Sequence, residues 1–303
     1  MNDDREERRT YLGGPDVAAI LGLSPYQAPI DVWRFKLGFD EGQGQTERMR
    51  LGQLLEQAIA DAYSEQTGRQ LRRVGLVRHK QYPFLGGHPD RLVVGERGIF
   101  EAKASASARG YSDDDLPPHV RVQVTWYTGL VGRDWADVVL LAGMGLRIIR
   151  VDHDPELFEQ MVTAAVEWWQ RHVVGRVEPE PDGTESYRRH LAEKFPIESG
   201  ETLVATAEQQ LLADELRQAT VATKAAEAHE KALRNRLAAA MGEASVMVGP
   251  GFKFTYSHVR GKPAWKAIAE EAGAPPELIA KHTPEGARQF RTYFAALTEE
   301  EAA

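Results

Sequence analysis

The stretch Gly86–Lys103, GGHPDRLVVGERGIFEAK, predicts a β-hairpin at the centre of the fold. Two β-compatible runs, residues 91–94 and 99–103, flank a four-residue turn that is bounded by Gly95 and Gly98. Asp90 opens the first strand. Because side chains alternate between the faces of a strand, Glu101 and Lys103 are expected on the same side. The stretch therefore predicts two carboxylates and an ammonium group at one end of the hairpin.

These groups are suited to the hydrolysis of a phosphodiester. Asp90 and Glu101 can hold a hard divalent cation such as Mg²⁺, with Mn²⁺ as an alternative, and the backbone carbonyl of Ala102 can add a third oxygen. Lys103 can then orient the attacking water or help to deprotonate it. A simpler interpretation also exists: Pro-Asp is a common turn pair, and Glu-x-Lys on one face of a strand is often a solvated edge pair.

The wider sequence resembles a known family. Pro89-Asp90 followed by Glu101-Ala102-Lys103 resembles the PD-(D/E)XK nuclease signature. Its surroundings resemble the YqaJ-type viral recombinases, which are phage lambda-type alkaline exonucleases. Three further stretches match in the family's order: LGGPDVAAILGLSPY at Leu12–Tyr26, RLGQLLE at Arg50–Glu56, and a Gln-x-x-x-Tyr helix at Gln123–Tyr127. Together the matches cover roughly residues 8–175.

The resemblance implies a fold, an activity and roles for residues. It implies a restriction-endonuclease-like core with a central mixed β-sheet flanked by helices. The activity would be that of a Mg²⁺-dependent exonuclease, which digests the 5′-ended strand of duplex DNA and leaves 3′ tails for a single-strand annealing protein. Glu56 would be an accessory acidic residue, and Gln123 would contact the substrate or a metal-bound water. Ring-shaped trimers and a phage or prophage origin in a bacterial host are also implied.

Candidate DNA contacts come from local basic clusters and from the Gln-x-x-x-Tyr helix. They are Arg8, Arg9, Arg50 and Tyr127. By resemblance, an arginine upstream of the Gly-Gly segment handles a 5′-terminal phosphate, and Arg8 matches it with Arg9 as a near rival. Pro15 stands where the family has a serine, so 5′-phosphate recognition is left open. Solvated charged faces remain the alternative for each cluster.

Composition restricts the classes of protein that are compatible with this chain. Its 303 residues are 42% apolar and carry a net charge of −8, which argues against binding DNA through overall charge but leaves room for a local basic channel. The absence of cysteine excludes disulfides, thiolate zinc sites and Cys-ligated iron–sulfur clusters. No apolar run approaches membrane-spanning length, and a cytoplasmic location is predicted.

The pattern along the chain predicts an α/β nuclease domain at residues 1–175, a proline-rich linker at 176–200 and a mainly helical accessory module with a β-hairpin at 201–303. In the first domain, a helix is expected at 46–66 with Leu51, Leu55, Ala58 or Ile59, and Ala62 on its apolar stripe. One strand is expected at 71–79, a helix from Pro117-Pro118 to Leu130, and a loop near the site at 104–115.

In the module, a long helix is expected at about 202–241, a hairpin at 245–256, and short helices at 263–271, 276–282 and 286–297. The stripe of the long helix follows near-heptad spacing: Leu212, Leu216, Ala219, Thr223, Ala226, Leu233 and Leu237. This thin stripe needs a partner surface, and the module is expected to serve self-association, DNA or a recombination partner.

Two functions other than that of an exonuclease are compatible with the sequence. One is an endonuclease of the same fold, of restriction or repair type, which would cut circular DNA. The other is a non-catalytic DNA-binding scaffold, which would show no Mg²⁺-dependent turnover; the intact Asp90, Glu101 and Lys103 argue against it.

Overall fold

The chain divides into two units, Met1–Lys194 and Phe195–Ala303. The computed structural model describes residues 2–40, 42, 46–105, 111, 116–143, 145–258, 261 and 263–282. The predicted loop at 104–115 and the predicted helix at 286–297 lie largely or wholly outside these residues. In the described part of the chain, no helix is both long and apolar enough to cross a membrane.

The first unit is built on a mixed β-sheet. Its elements in chain order are α1 (Asn2–Arg9), α2 (Gly14–Ile20), α3 (Pro29–Lys36), α4 (Glu47–Thr67), β1 (Leu71–Arg73), β2 (Val77–Arg78), β3 (Gly86–Gly87), β4 (Arg91–Val93), β5 (Gly98–Ser105), α5 (Pro118–Val131), β6 (Trp135–Ala142), β7 (Gly145–Asp152), α6 (Pro155–Trp168), a π-helical turn (Trp169–Val174) and α7 (Glu185–Lys194). The five-stranded sheet has the order β1-β4-β5-β6-β7. Only β5 and β6 run parallel within it; its other neighbours are antiparallel. The predicted mixed sheet flanked by helices, with β4 and β5 as its hairpin, is confirmed.

The two faces of the sheet are covered by different helices. Ile99 of β5 belongs to the large apolar cluster that includes residues of α2, α5 and α6. Phe100, the next residue, packs with Ile59 and Tyr63 of α4 on the opposite face. The alternation predicted from the sequence therefore continues into the core, and it directs Glu101 toward the α5 side.

The single strand predicted at residues 71–79 is wrong, because the chain forms two short strands in different sheets. β1 pairs with β4, whereas β2 pairs with β3. The second pairing depends on Gly86, where a Cβ atom would lie only 2.8 Å from the carbonyl oxygen of Val77. A glycine pair can accept a closely approaching backbone that any side chain would block.

The predicted apolar stripe of α4 is only partly correct. Ile59 is buried, together with Ala60 and Tyr63, but Leu51 and Leu55 are exposed. The apolar cluster of α4 with the sheet contains only residues of its C-terminal half, against Phe100 and Val139. Periodicity indicated the helix but could not indicate how much of it the sheet covers.

The segment predicted as a linker, residues 176–200, contains α7, and the division between the two units after Lys194 falls within that segment. Tyr187 of α7 is buried and packs with Ala28, Ile30 and Trp33. Its hydroxyl donates to a carboxylate oxygen of Glu178 at 2.8 Å. The proline-rich composition of this segment concealed a helix that is held by buried Tyr187 and His190 and by the ion pair of Glu193 with Arg34.

The second unit begins with a long helix. Its elements are α8 (Ala207–Met241), β8 (Val246–Gly249), β9 (Phe252–Thr255), α9 (Trp265–Glu271) and α10 (Pro276–Lys281). Thr206 caps α8 and forms a capping box with Gln209. The hairpin of β8 and β9 is confirmed, with Phe252 and Phe254 stacked at 4.9 Å between ring centroids.

Candidate active site

The site forms where the ladder between β4 and β5 ends. Arg91 pairs with Phe100, so a continued register would place Pro89 opposite Ala102. Proline has no N–H group and cannot continue the ladder. The Oδ2 atom of Asp90 instead accepts the N–H of Ala102 at 2.8 Å. The carbonyl of Ala102 faces the same edge as its N–H, so a backbone oxygen is directed toward the Asp90 side.

Asp90 lies among other charged groups. Burial and the neighbouring Glu101 carboxylate raise the pKa of Asp90 to about 8, against the opposing effects of Lys103 and the Ala102 N–H, while Glu56 contributes a smaller rise. Burial is the larger cause and the Glu101 carboxylate the second, and both disfavour the ionised form of Asp90. A cation bound here would favour that ionised form.

Glu101 is almost completely buried, with 2% of its surface exposed. Its Oε1 atom accepts hydrogen bonds from Lys103 Nζ at 2.8 Å and from Gln123 Nε2 at 2.9 Å. Its Oε2 atom is buried and has no hydrogen-bond partner among the described residues. A buried carboxylate oxygen without a partner is costly, and it is available as a ligand.

Gln123 connects the two charged groups of β5. Its Oε1 atom accepts from Lys103 Nζ at 2.9 Å while its Nε2 donates to Glu101. The same Nε2 lies 3.4 Å from the hydroxyl of Tyr127, one turn further along α5. Burial alone would lower the pKa of Lys103, but the Glu101 and Asp90 carboxylates outweigh burial and raise it. Lys103 is therefore held as a charged ammonium by two acceptors.

Glu56 approaches the site from α4 and is paired with Arg91. The Nη1 atom of Arg91 donates to Glu56 Oε1 at 2.6 Å, and its Nη2 donates to Gln57 Oε1 at 3.0 Å. Arg91 is 3% exposed. Arg91 was not predicted from the sequence, although an arginine directly before the apolar run Leu92–Val94 is a signal of a buried partner. Arg91, which directly follows Asp90, therefore ties β4 to α4.

The donor set fits a magnesium ion. In the described part of the chain, no group of three or more His, Cys, Asp or Glu side chains has a metal-binding arrangement. Mg²⁺ does not need one, since it usually retains several waters and uses one or two carboxylates. Asp90 and the unpartnered Oε2 of Glu101 would supply those carboxylates, and the Ala102 carbonyl is directed to the same edge.

The predicted DNA contacts have different surroundings. Arg8 is half-buried and pairs with Asp16 at 3.2 Å, Arg9 pairs with Glu6 at 2.7 Å, and exposed Arg50 pairs with Glu47 at 2.6 Å. Tyr127 is buried, with 5% of its surface exposed. Its hydroxyl lies 3.4 Å from Gln123 Nε2, and the direct DNA contact predicted for Tyr127 stays a prediction.

A buried ion pair beside the site was not identified from the sequence. Asp16 in the first turn of α2 accepts from Lys36 Nζ at 2.9 Å, and that ammonium also donates to the carbonyls of Arg8 and Tyr11. The pair fixes α2, and a Cβ atom at Gly14 of that helix would lie 3.1 Å from Gln123 Cγ. The glycine thus lets α2 pack directly against the active-site face of α5.

The fold and the site together define the class of protein. It is an α/β protein with a mixed sheet, and an acidic cluster, a lysine and a glutamine lie at the end of its central hairpin. Residues 5–134 match the family model of the YqaJ-like viral recombinase domain. The family resemblance predicted from the motifs is thereby confirmed.

One curated protein and two solved structures are similar to part of this chain. The protein YqaJ of Bacillus subtilis (strain 168) is 30% identical over 196 residues, which are 62% of this chain, and the chain spans 61% of that relative's length. Among solved structures, an alkaline exonuclease of Laribacter hongkongensis (LHK-Exo) is similar with a TM-score of 0.49 and 19% identity, covering 64% of this chain and 99% of that one. A phage-related exonuclease of Haemophilus somnus 129PT has a TM-score of 0.43 and 13% identity, covering 55% of this chain and 96% of that one.

Proposed function

We propose that the protein is a Mg²⁺-dependent deoxyribonuclease, and specifically an exonuclease that degrades the 5′-ended strand of linear duplex DNA. The observation that carries the proposal is the state of Glu101. One of its carboxylate oxygens is held by Lys103 and Gln123, and the other is buried without a partner among the described residues beside Asp90. The match to the viral recombinase domain supports the same class of activity.

Asp90, Glu101 and the Ala102 carbonyl are the groups that would hold the ion. A bound Mg²⁺ polarises a phosphoryl oxygen and lowers the pKa of a coordinated water. Hydrolysis joins a water oxygen to phosphorus and breaks a phosphorus–oxygen ester bond, so a proton must leave the water and the departing sugar oxygen must gain one. The chain's own groups must place the water and the phosphate with respect to each other.

Lys103 and Gln123 would do this placing. The Lys103 ammonium has three N–H donors, and Glu101 and Gln123 take two of them. The third can donate to the attacking water or to a phosphate oxygen. The side chain of Gln123 holds Glu101 and Lys103 in position. It is itself held by its contact with Tyr127, one turn further along α5. Glu56, paired with Arg91, would act as an accessory acid at the edge of the site.

DNA binding would rely on local positive charge, because the whole chain carries a net charge of −8. Arg8, Arg9 and Arg50 remain the proposed phosphate contacts. Each already has an acidic partner within the chain, so each would exchange that partner for a phosphate. The 3′ single-stranded tails left by the reaction would be substrates for an annealing protein.

End-labelled DNA tests the function and its polarity. Linear duplex DNA carrying a label at either the 5′ or the 3′ terminus would be digested with Mg²⁺, with closed circular DNA as a second substrate. We expect early release of the 5′ label and intact circles. Cutting of circles would reassign the protein to the endonucleases. No Mg²⁺-dependent digestion of any substrate would refute the nuclease proposal.

A further inference from the structure

The long helix α8 exposes an apolar stripe. It spans 35 residues, which at 1.5 Å per residue is roughly 50 Å. Met241 at its end is its only buried residue; along the rest of the helix, side chains are exposed or partly exposed. Leu212 at 66%, Leu216 at 40%, Leu233 at 42% and Leu237 at 37% exposure are the large residues of the stripe. Helices in proteins gain most of their stability by burying such a stripe.

The stripe follows a strict heptad pattern. Its positions are spaced alternately by four and three residues: Leu212, Leu216, Ala219, Thr223, Ala226, Glu230, Leu233 and Leu237. This is the spacing of core positions in a coiled coil. The leucines lie at the two ends of the stripe. Between them lie Ala219, Thr223, Ala226 and Glu230. The pattern therefore reads nearly the same in both directions along the helix.

We propose that α8 pairs with α8 of a second copy of this chain in an antiparallel coiled coil. In an antiparallel pair, residue numbers rise along one helix and fall along the other. Every pair of facing core positions therefore has the same sum of residue numbers. A register centred between Lys224 and Ala225 brings Leu212 against Leu237 of the second copy, and Leu216 against Leu233. The same register brings Thr223 against Ala226. Leucines thus meet leucines at both ends of the pair, and a threonine meets an alanine at its centre.

Glu230 decides the orientation. In a parallel pair with the heptads aligned, Glu230 would face Glu230 of the second copy inside the core, and like charges there are strongly unfavourable. In the antiparallel register Glu230 faces Ala219. The carboxylate of Glu230 accepts from Arg234 Nε of the same helix at 2.7 Å, which lets it turn away from the small alanine toward the rim.

Flanking charges favour the same orientation. Glu215 and Arg236 occupy equivalent positions beside the stripe, one in each half of the helix. In the antiparallel register Glu215 of one copy faces Arg236 of the other, twice per pair. In the parallel register Glu215 would face Thr220, and His229 would face Arg234, so no opposite charges would meet. Such flanking pairs commonly set partner and orientation.

The charge of α8 does not suit a nucleic-acid partner. The helix carries five acidic and five basic residues, so its formal net charge is zero. A phosphate backbone would require an excess of positive charge along one face. Self-complementarity of both the leucines and the charges instead indicates a symmetric pair with a two-fold axis. The inference concerns assembly and is independent of the proposed nuclease activity.

Cysteine cross-linking tests the register directly, because the natural chain has no cysteine. The full-length variants Leu216→Cys and Leu233→Cys would be oxidised separately and after mixing and exchange. We expect a disulfide-linked dimer in the mixture and little or none from either variant alone. Efficient cross-linking of Leu216→Cys by itself would indicate a parallel pair and overturn the proposal.

The oligomeric state provides the second test. By light scattering, the full-length chain should contain an even number of copies, either a dimer or two of the ring-shaped trimers that the resemblance implies, joined through α8. Leu216→Lys should raise the dissociation constant of this pairing at least about tenfold. The matched control Val221→Lys changes an exposed apolar residue that lies off the stripe of the same helix, and it should not. Glu215→Arg and Arg236→Glu should each weaken the dimer, and their combination should restore it. A monomeric wild type, a trimer, or equal effects of Leu216→Lys and Val221→Lys would refute the pairing; circular dichroism would verify that each variant is folded.

Discussion

Glu101 combines a satisfied and an unsatisfied oxygen in one buried carboxylate. Lys103 and Gln123 hold Oε1, whereas Oε2 has no partner in the described part of the chain. Buried polar atoms without partners are rare in native proteins and concentrate at functional sites. Asp90 lies beside it, and burial together with the Glu101 carboxylate raises the pKa of Asp90 to about 8. The unpartnered oxygen is the main reason to place a cation here.

A cation that binds only the folded site must stabilise the fold. We expect millimolar Mg²⁺ to raise the melting temperature of the protein by a few degrees, increasing with the logarithm of its concentration. Asp90→Asn should remove this increase, because it removes one carboxylate while an amide oxygen can still accept the Ala102 N–H. The control Glu185→Gln alters an exposed glutamate of α7 and should retain the increase. An undiminished Mg²⁺ effect in Asp90→Asn would place the ion elsewhere.

The pair of Arg91 and Glu56 should be worth more than a surface ion pair. Arg91→Met would leave Glu56 without its cation, and because Glu56 is partly exposed and can regain water, we expect a loss of about 2 kcal/mol rather than the full cost of a buried charge. The double variant Arg91→Met with Glu56→Gln should recover part of that loss. Urea denaturation of all four proteins gives the coupling energy. Additive single effects would show that the pair is not coupled.

At the scale of elements, α2 and α3 begin in the same way but are supported differently. Asp16 and Asp31 each occupy the third position of their helix, and each accepts the N–H of its capping residue at 2.9 Å. Only Asp16 also has a buried lysine. Burial alone would raise the pKa of Asp16, but the Lys36 and Arg8 cations lower it below its ordinary value.

This difference predicts unequal effects of the same substitution. Asp16→Asn should cost about 3 kcal/mol, because it leaves Lys36 buried without a counter-charge, whereas Asp31→Asn should cost about 1 kcal/mol. The lowered pKa means that the Asp16 contribution is present above its ordinary value of 3.8 and is lost as the pH falls through the folded value. The difference in urea midpoint between wild type and Asp16→Asn should therefore be largest at neutral pH and narrow as the pH falls below 3.8. Equal losses in the two variants at pH 7 would contradict the account.

The elements that local chemistry determines could be predicted, and those that depend on distant partners could not. The β4–β5 hairpin followed from its turn and from the alternation around Glu101, and the start of α5 followed from Pro117-Pro118. The break between β1 and β2 depends on Gly86, ten or so residues away, and the buried partners of Arg91 and Lys36 come from other elements. The carboxylates and the lysine of the site were visible in the sequence, whereas Arg91, the cation that pairs with Glu56, was not.

At the scale of the whole molecule, the site gathers residues from three separate segments. Asp90, Glu101 and Lys103 belong to the hairpin, Glu56 to α4, and Gln123 to α5, all within the unit Met1–Lys194. The second unit contributes none of these groups, and its long helix carries the stripe that we assign to a second copy. Variants that separate the copies should therefore leave turnover at each site unchanged on a short duplex. A parallel loss of dimer and turnover in Leu216→Lys would contradict this division.

The most direct test of the central claim is the rate of nucleotide release from linear duplex DNA by wild type and Glu101→Gln in the same Mg²⁺ buffer. Glutamine retains the shape and an acceptor for Lys103 but removes the charge that would bind the ion. We predict a loss of about 10²–10⁴-fold with an unchanged far-ultraviolet spectrum, and no loss in Glu185→Gln. A Glu101→Gln rate within about threefold of wild type would show that catalysis does not depend on this carboxylate.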